Sequence, residues 1–324
     1  MGRNHAPAIL VLIALGLVVP ALVAGGRSPS AAPTRTSMRW AAATAAVILL
    51  LASLGIVASA PVAVPAPSSG MIRVMTYNVH QGFSAGGRLN VDRIVEMVRL
   101  ANPDILALEE SDSVRVTSGG VNLVGYLAST LGYHVAYGPP TRVQTYGVSI
   151  LSRYPIESWN YELLPSRGDQ RVLVHAFLRL PSTDLQVFAV HLGLDGAERD
   201  AQVAEVLRVT ALVTGLKVLL GDFNACPPGL CPETGATPDH VYADINATWS
   251  DAWTEANGPS PVPSSYTYDS LYPYERIDYV FVSPGIEVNA CTVLGNIPPN
   301  QSMFLPLPRD ASDHFPVVAD VSLG

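Results

Sequence analysis

The feature that most constrains this chain is a row of short polar signatures, each placed at the end of an apolar run. Asn78 closes IRVMTYN, Glu109-Glu110 closes DILALEE, His191 closes LQVFAVH, and Asp222-Phe223-Asn224 closes KVLLGDFN. Near the C-terminus, Arg276-Ile277-Asp278 and Ser312-Asp313-His314 open two further apolar runs. Runs of this length, bounded by polar residues, read as buried strands. A buried strand that ends in Asn, Asp, Glu or His sets an amide, carboxylate or imidazole at the rim of a sheet. Six such rims brought together have the composition of a metal-dependent phosphodiester-cleaving site.

Charge divides the chain in two. Residues 1–70 contain no Asp, Glu or Lys, and Arg3, Arg27, Arg35 and Arg39 are their only fixed side-chain charges. Removing those four from the formal net −8 leaves about −12 for residues 71–324. The apolar excess therefore belongs to the front end, which holds two charge-free stretches, 6–26 and 40–64. Each has the roughly 20 residues that span a bilayer as a helix, so one or two N-terminal transmembrane helices are expected. Arg27, Arg35 and Arg39 lie between the stretches and only Arg3 precedes them. The positive-inside bias keeps that loop in the cytoplasm and places residues 71–324 outside, held at the cell membrane. An alternative start at Met38 would make the second stretch a signal segment ending at Ala58-Ser59-Ala60, with Pro61 directly after it, and the domain secreted. Both readings take the domain out of the cytoplasm. The boundaries are 1–64 for the anchor region, 65–70 for a Pro/Ser/Gly linker, and 71–324 for one domain.

Cysteines add little. Cys226 and Cys231, in CPPGLC, could close a small loop in an oxidising compartment. A zinc site needs more ligands at close spacing, and Cys291 in IEVNACTVL reads as a small buried residue.

Within 71–324, strands are expected at 72–79, 104–108, 133–137, 148–152, 172–180, 185–191, 218–220, 277–282, 286–293 and 316–322. Helices are expected at 91–100, where Val91, Ile94, Val95 and Val98 recur with helical period, and at 121–131 and 198–213. The Pro-rich segment 226–267 reads as irregular chain. Strands mixed with helices in this way imply an α/β fold of two sheets packed face to face, with helices outside.

Several residues could carry chemistry. Glu110 at a strand end is a natural ligand for Mg²⁺, which prefers one or two carboxylates and several waters. Strand alternation turns Glu109 to the opposite face, so only one of the pair should point into a site. Asp222 and Asn224, two apart, share one face and can hold a water and a phosphoryl oxygen together. His314 needs a carboxylate partner to fix its tautomer and set its basicity; Asp278 could be that partner, which leaves Asp313 for a metal. Taken singly, each would pass for a solvated strand end, and His191 for a core histidine. Their joint occurrence at strand ends sets them apart.

The ordered set YNVHQGF, DILALEE, GVSILSRYPI, FAVHLG, GDFNA, ERIDYVFVS and SDHFPVVADVSL resembles the deoxyribonuclease-I-like endonuclease/exonuclease/phosphatase superfamily across 71–324. The resemblance implies a four-layer α/β sandwich: two packed mixed β-sheets flanked by helices. It implies that Asn78 lies near metal and phosphate, that Glu110 ligates Mg²⁺ (Mn²⁺ as an alternative), and that His191 contacts phosphate or acts as general acid. Asp222 and Asn224 would position the nucleophile and transition state, with Asn224 also binding substrate. Asp278 would partner the catalytic His314, a general base, and Asp313 would complete the metal site. Glu109 stands where the superfamily usually has Gln. The wording YNVHQGF, LEESD, YGP and ERIDYVF is similar to the soluble domain of membrane proteins that remodel GPI-anchor lipids and of their bacterial relatives.

Four functions compete: a membrane-tethered Mg²⁺-dependent phosphodiesterase acting on a lipid head group or small molecule, an extracytoplasmic nuclease, a phosphomonoesterase of the same fold, and a non-catalytic binding module that kept the fold. The last is the weakest, because every expected active-site position is filled by the right chemistry. Nucleic-acid binding favours a basic face. With net charge about −12 and Lys217 the one lysine, the domain is expected to take a lipid or small phosphodiester in preference to nucleic acid.

Overall fold

The computed structural model describes residues 70–112, 114–139, 145–227, 240–259, 262–296 and 307–324. The stretches 6–26 and 40–64, nearly all of the linker, and Cys231 lie outside the described residues. Among the described residues no helix is long and apolar enough to cross a membrane.

In chain order the first strands are β1 (Met71–Asn78), β2 (Ile105–Glu109), β3 (His134–Gly138), β4 (Val148–Ser152), β5 (Ile156–Leu163) and β6 (Val172–Arg179). They continue as β7 (Asp184–His191), β8 (Leu216–Asp222), β9 (Ser250–Asp251), β10 (Asp278–Val282), β11 (Ile286–Val293) and β12 (Val317–Leu323). The helices are α1 (Val91–Ala101), α2 (Leu123–Leu131), α3 (Gly196–Ala211), α4 (Val241–Asn246) and α5 (Ala252–Asn257). The strands form two sheets of six, ordered β11-β12-β1-β2-β4-β3 and β5-β6-β7-β8-β10-β9. Both are mixed: β1 is parallel to β2 but antiparallel to β12, and β7 is parallel to β8, which is antiparallel to β10.

The alternation of side chains along a strand explains the layers. Ile72, Val74, Ile105, Ala107, Leu185, Val187, Ala189, Val218, Leu220, Val280 and Val282 fill the space between the sheets. The intervening Met75, Tyr77, Leu106 and Leu108 pack on α1 and α2. Phe188, Val190, Leu219, Tyr279 and Phe281 pack on the buried residues of α3 and α4. The central strands are covered on both faces, which is why they read as unbroken apolar runs. Each fully buried Val, Leu or Phe contributes about 1.5–3 kcal/mol.

Two segments differ from expectation. β5 (IESWNYEL) is a full strand at the sheet edge, and it is mostly exposed. With little buried on either face it leaves no apolar run to mark it, and its Glu157 and Glu162 suit an edge that must not pair further. Inside 226–267, read as irregular, lie α4, β9 and α5; helices of six residues are too short to show a helical period.

Register then gathers the polar ends. His191 pairs with Asp222, Asp222 with Asp278, and Asn78 with Glu109. All five occupy the inward-facing parity of their strands beyond the apolar core, directly next to it on β2, β7, β8 and β10 and after Thr76 on β1.

Candidate active site

Asp222 is the centre of this rim. It follows Gly221, where an added Cβ would lie 2.1 Å from the carbonyl oxygen of Val190. Only glycine lets β8 approach β7 so closely at that point. Asp222 Oδ2 accepts from Asn78 Nδ2 at 2.9 Å and Oδ1 accepts from the Asn224 backbone N–H at 2.9 Å. The Leu192 N–H donates to the Asp222 carbonyl at 3.0 Å. Asn224 holds a left-handed φ of 48°, which Asn tolerates better than most residues, and its Nδ2 donates to the Leu192 carbonyl at 3.0 Å. Two imidazoles flank the carboxylate: His191 Nε2 at 3.5 Å and His314 Nε2 at 3.8 Å from Asp222 Oδ2.

These contacts set the proton inventory. Burial and then the Asp278 charge raise Asp222; His314 and the hydrogen bonds from Asn78 and Asn224 counter them, and the carboxyl ends pushed up to about 7. At His314 burial opposes the cation, but Asp278, Asp222 and Asp313 outweigh it and raise the imidazole well above its usual range. The main contact is Nδ1 to Asp278 Oδ2 at 2.9 Å. His191 moves the other way. Burial, then the charges of Arg171 and His314, push it well below the imidazole range, so it is neutral.

The segment carrying His314 is stitched in place. Ser312 Oγ donates to the Asn78 carbonyl at 2.7 Å, and the Phe315 N–H donates to the Thr267 carbonyl at 2.7 Å. The ring of Tyr268 lies 4.9 Å from that of His314.

Glu110, His191, Asp222, Asn224, Asp313 and His314 line one open cleft of about 560 Å³. Asn78 and Asp278 do not line it. Both are buried and act from behind, Asn78 on Asp222 and Asp278 on His314. The resemblance puts Asn78 near metal and phosphate; here its amide nitrogen donates to Asp222, and its oxygen accepts from the His80 N–H at 3.0 Å. The reading of the Glu pair is corrected. Glu109 does not turn away from the site. It has the inward parity of Ile105 and Ala107, is fully buried, and accepts from Thr76 Oγ1 at 2.9 Å. Burial together with the charges of Asp278 and Asp222 raises it well above the carboxylate range. Glu110 reaches the cleft because the strand ends before it and its φ is 49°, so alternation no longer applies.

The donor set fits a hard divalent cation. Asp278 Oδ1 and Glu109 Oε2 are buried without a hydrogen-bond partner, and Asp222, Glu110 and Asp313 add further carboxylates. Among the described residues, Asp222, Asp278 and His314 offer ligand atoms within 4.8 Å of one another. The bond between Asp278 and His314 already joins two of them, so Glu110 and Asp313 are the carboxylates most open to a cation. Gln81 Nε2 donates to one Glu110 oxygen at 3.1 Å. Asp313 Oδ1 accepts from Ser312 Oγ at 3.3 Å and lies 3.6 Å from His80 Nδ1.

The cleft also holds residues that the sequence did not single out: Gln81, Arg115, Tyr146, Arg171 and Tyr268. One signal could have found Arg171. β6 runs antiparallel to β7 with Leu173 opposite Val190, so a hairpin reading of the two runs carries the start of β6 to the His191 rim. Tyr146 and Tyr268 sit in irregular chain and have no such signal.

Comparison with known proteins agrees with this geometry. The profile of the Endonuclease/Exonuclease/phosphatase family matches residues 75–314. Schizosaccharomyces pombe protein cwh43 is 29% identical over 192 residues, which cover 58% of this chain but only 20% of the yeast protein. Escherichia coli YbhP is 27% identical over 268 residues, covering 78% of this chain and 96% of YbhP. Among solved structures, an endonuclease/exonuclease/phosphatase from Beutenbergia cavernae superposes with TM-score 0.61 at 24% identity, over 78% of this chain and 72% of its own, which is a likeness of fold.

Proposed function

Because the chain belongs to the endonuclease/exonuclease/phosphatase family, we propose that it is a membrane-tethered, Mg²⁺-dependent phosphodiesterase that hydrolyses a lipid head group or a small phosphodiester. Phosphoester hydrolysis comes with the family. The observation that carries the finer reading is the hydrogen-bonded relay Asp278–His314, set against an Asp222 pinned by Asn78 and Asn224.

The roles follow from the proton inventory. Asp222, ionising near neutrality, accepts the proton of the attacking water. Asn224 Oδ1 is free to orient that water, because its Nδ2 is committed to the backbone. His314 is held protonated by Asp278, so it faces the phosphoryl charge as a cation. This moves the general base from His314, where the resemblance puts it, to Asp222. His191 is neutral, so it serves as a hydrogen-bond donor to phosphate and not as the general acid. Water adds to phosphorus, the ester P–O bond breaks, and the departing oxygen is completed by a solvent proton. Glu110 and Asp313 would hold the divalent ion, which supplies charge neutralisation on the phosphoryl oxygens.

The tether and the lipid preference rest on the apolar stretches 6–26 and 40–64, on the resemblance in YNVHQGF and ERIDYVF, and on the acidic domain. Purified full-length protein in detergent, assayed with and without Mg²⁺ against phospholipids, sphingomyelin, inositol phosphodiesters and DNA, tests the substrate. Turnover of a lipid or small diester that stops on chelation is expected, and turnover of DNA alone would make the chain a nuclease. Protease digestion of intact cells tests the orientation: a domain protected until lysis is not extracytoplasmic.

A further inference from the structure

Among the described residues two arginines are buried, and they differ in whether a carboxylate meets the charge. Arg276, 4% exposed, has an ion partner: its Nη1 lies 2.8 Å from Asp251 Oδ2. Its guanidinium also lies 4.9 Å from the ring centre of Tyr279 and 5.7 Å from that of Tyr242. Its Nε, like that of Arg171, has no hydrogen-bond partner, but its charge is met by the Asp251 carboxylate and by the two rings.

Arg171 is 8% exposed, and its Nε is buried without a partner. Among the described residues no hydrogen bond or ion pair to its side chain is made. Yet its backbone is fixed. Its N–H donates to Ser166 Oγ at 3.0 Å, and its carbonyl accepts from the Leu164 N–H and from Gln170 Nε2, both at 2.9 Å. The side chain forms part of the cleft wall with Tyr146, His191 and Asp222, and its charge helps to keep His191 neutral. A buried nitrogen left unpaired costs free energy, and the rest of the guanidinium, which borders the cleft, has no carboxylate partner among the described residues. That lack is the more notable in a domain of net charge about −12, where a carboxylate partner would be easy to supply.

We propose that Arg171 is a substrate-binding residue, which takes a non-bridging oxygen of the substrate's phosphoryl group on the His191 side of the cleft. The planar guanidinium fork suits that group, and a fixed backbone keeps it aimed. The neutral His191 beside it adds a donor without competing charge. The assignment deepens the phosphodiesterase reading and rests on it for the identity of the anion.

The test uses full-length protein in detergent, with inorganic phosphate as the probe, with and without Mg²⁺. Calorimetric titration and the phosphate-induced rise in Tm are measured for wild type, Arg171→Gln, Arg171→Lys and Arg171→Met. Wild type should bind phosphate and gain Tm. Arg171→Gln should lose about 10- to 100-fold in affinity, the span for a hydrogen bond to a charged group. Arg171→Lys should recover part of it. Arg171→Met should be at least as thermostable as wild type without phosphate and should gain nothing from it, a pattern that a structural arginine would not give. Phosphate binding unchanged in Arg171→Gln would overturn the assignment, as would no phosphate binding by wild type. So would Arg171→Met that melts earlier while binding phosphate normally. Turnover is read separately: an inactive wild type that still binds phosphate through Arg171 keeps this site and removes the hydrolase reading. For an active enzyme, Arg171→Gln should raise KM for both soluble glycerophosphocholine and phosphatidylcholine vesicles. A rise with vesicles alone would place Arg171 at a lipid surface and reject the phosphoryl contact.

Discussion

Each central strand carries one row of side chains between the sheets, and the two ends of that row are chemically opposite. At the far end lie Ile72, Ile105, Leu185, Val218 and Val282, all in the apolar core. At the rim end of the same rows lie Asn78, Glu109, His191, Asp222 and Asp278. Backbone geometry, parity and burial are shared; the interactions are not. The far end is stabilised by apolar area removed from water and tolerates any well-packed hydrophobe. The rim end is stabilised by specific donors and acceptors, and it leaves Asp278 Oδ1 and Glu109 Oε2 without partners. One strand set thus supplies both a core and a charged, preorganised site, and on β2, β7, β8 and β10 the division falls between neighbouring side chains of one row.

The strongest way to break this comparison is to exchange the roles by mutation. Asp222→Asn or His314→Ala should reduce kcat by about 10²–10⁴-fold in steady-state assays on the hydrolysed phosphodiester, with circular dichroism showing a folded protein. Full activity in either folded variant would return the rim to mere structure. At the other end, Leu220→Ala should cost about 2–5 kcal/mol in denaturant unfolding and leave kcat of the folded fraction unchanged. A comparable loss of kcat there would mean that the two ends do not act separately.

Asp278→Asn sharpens the comparison, because Asp278 is hydrogen-bonded to His314 and stands behind the cleft, although its charge also raises Asp222. The loss in kcat should be about 10²–10⁴-fold and no larger than that of His314→Ala, since a carboxylate that orients a catalytic histidine can be worth as much as the histidine's own proton transfer. The pH profile should change with it. Wild-type activity needs Asp222 ionised, which gives an acid limb near 7, and His314 protonated, which gives an alkaline limb well above 6.5. Removing the Asp278 charge takes away the largest of the influences that raise His314, leaving those of Asp222 and Asp313, so the alkaline limb should move to lower pH; a limb that stays in place would reject the cationic role of His314. Smallest is a change outside both ends of the row. Asp195 caps α3 by accepting from the Glu198 N–H at 2.9 Å, and Asp195→Ala should cost about 1 kcal/mol in thermal or denaturant unfolding, with KM and kcat otherwise unaltered.

The sequence alone determined the central strands, the three longer helices and the polar residues at the strand ends, because burial on both faces writes an unbroken apolar run and a helix face writes its own period. It also placed Asp222 and Asn224 side by side, a matter of two residues of chain, and the Asn224 N–H donates to Asp222 Oδ1. What it could not determine was set by contacts across the fold. β5 has too little buried surface to mark itself. Glu110 enters the cleft through a left-handed φ of 49° rather than by alternation, and Glu109 lies under the site because its face of β2 meets the opposite sheet. Asn78 stands behind Asp222 instead of in the cleft. Arg171 and Arg276 are the same residue type in the same chain, and only the tertiary structure decided that one would meet Asp251 and the other an open cleft. Strand period is a local property of the chain, whereas the partner of a buried charge is fixed by pairings between residues far apart in sequence.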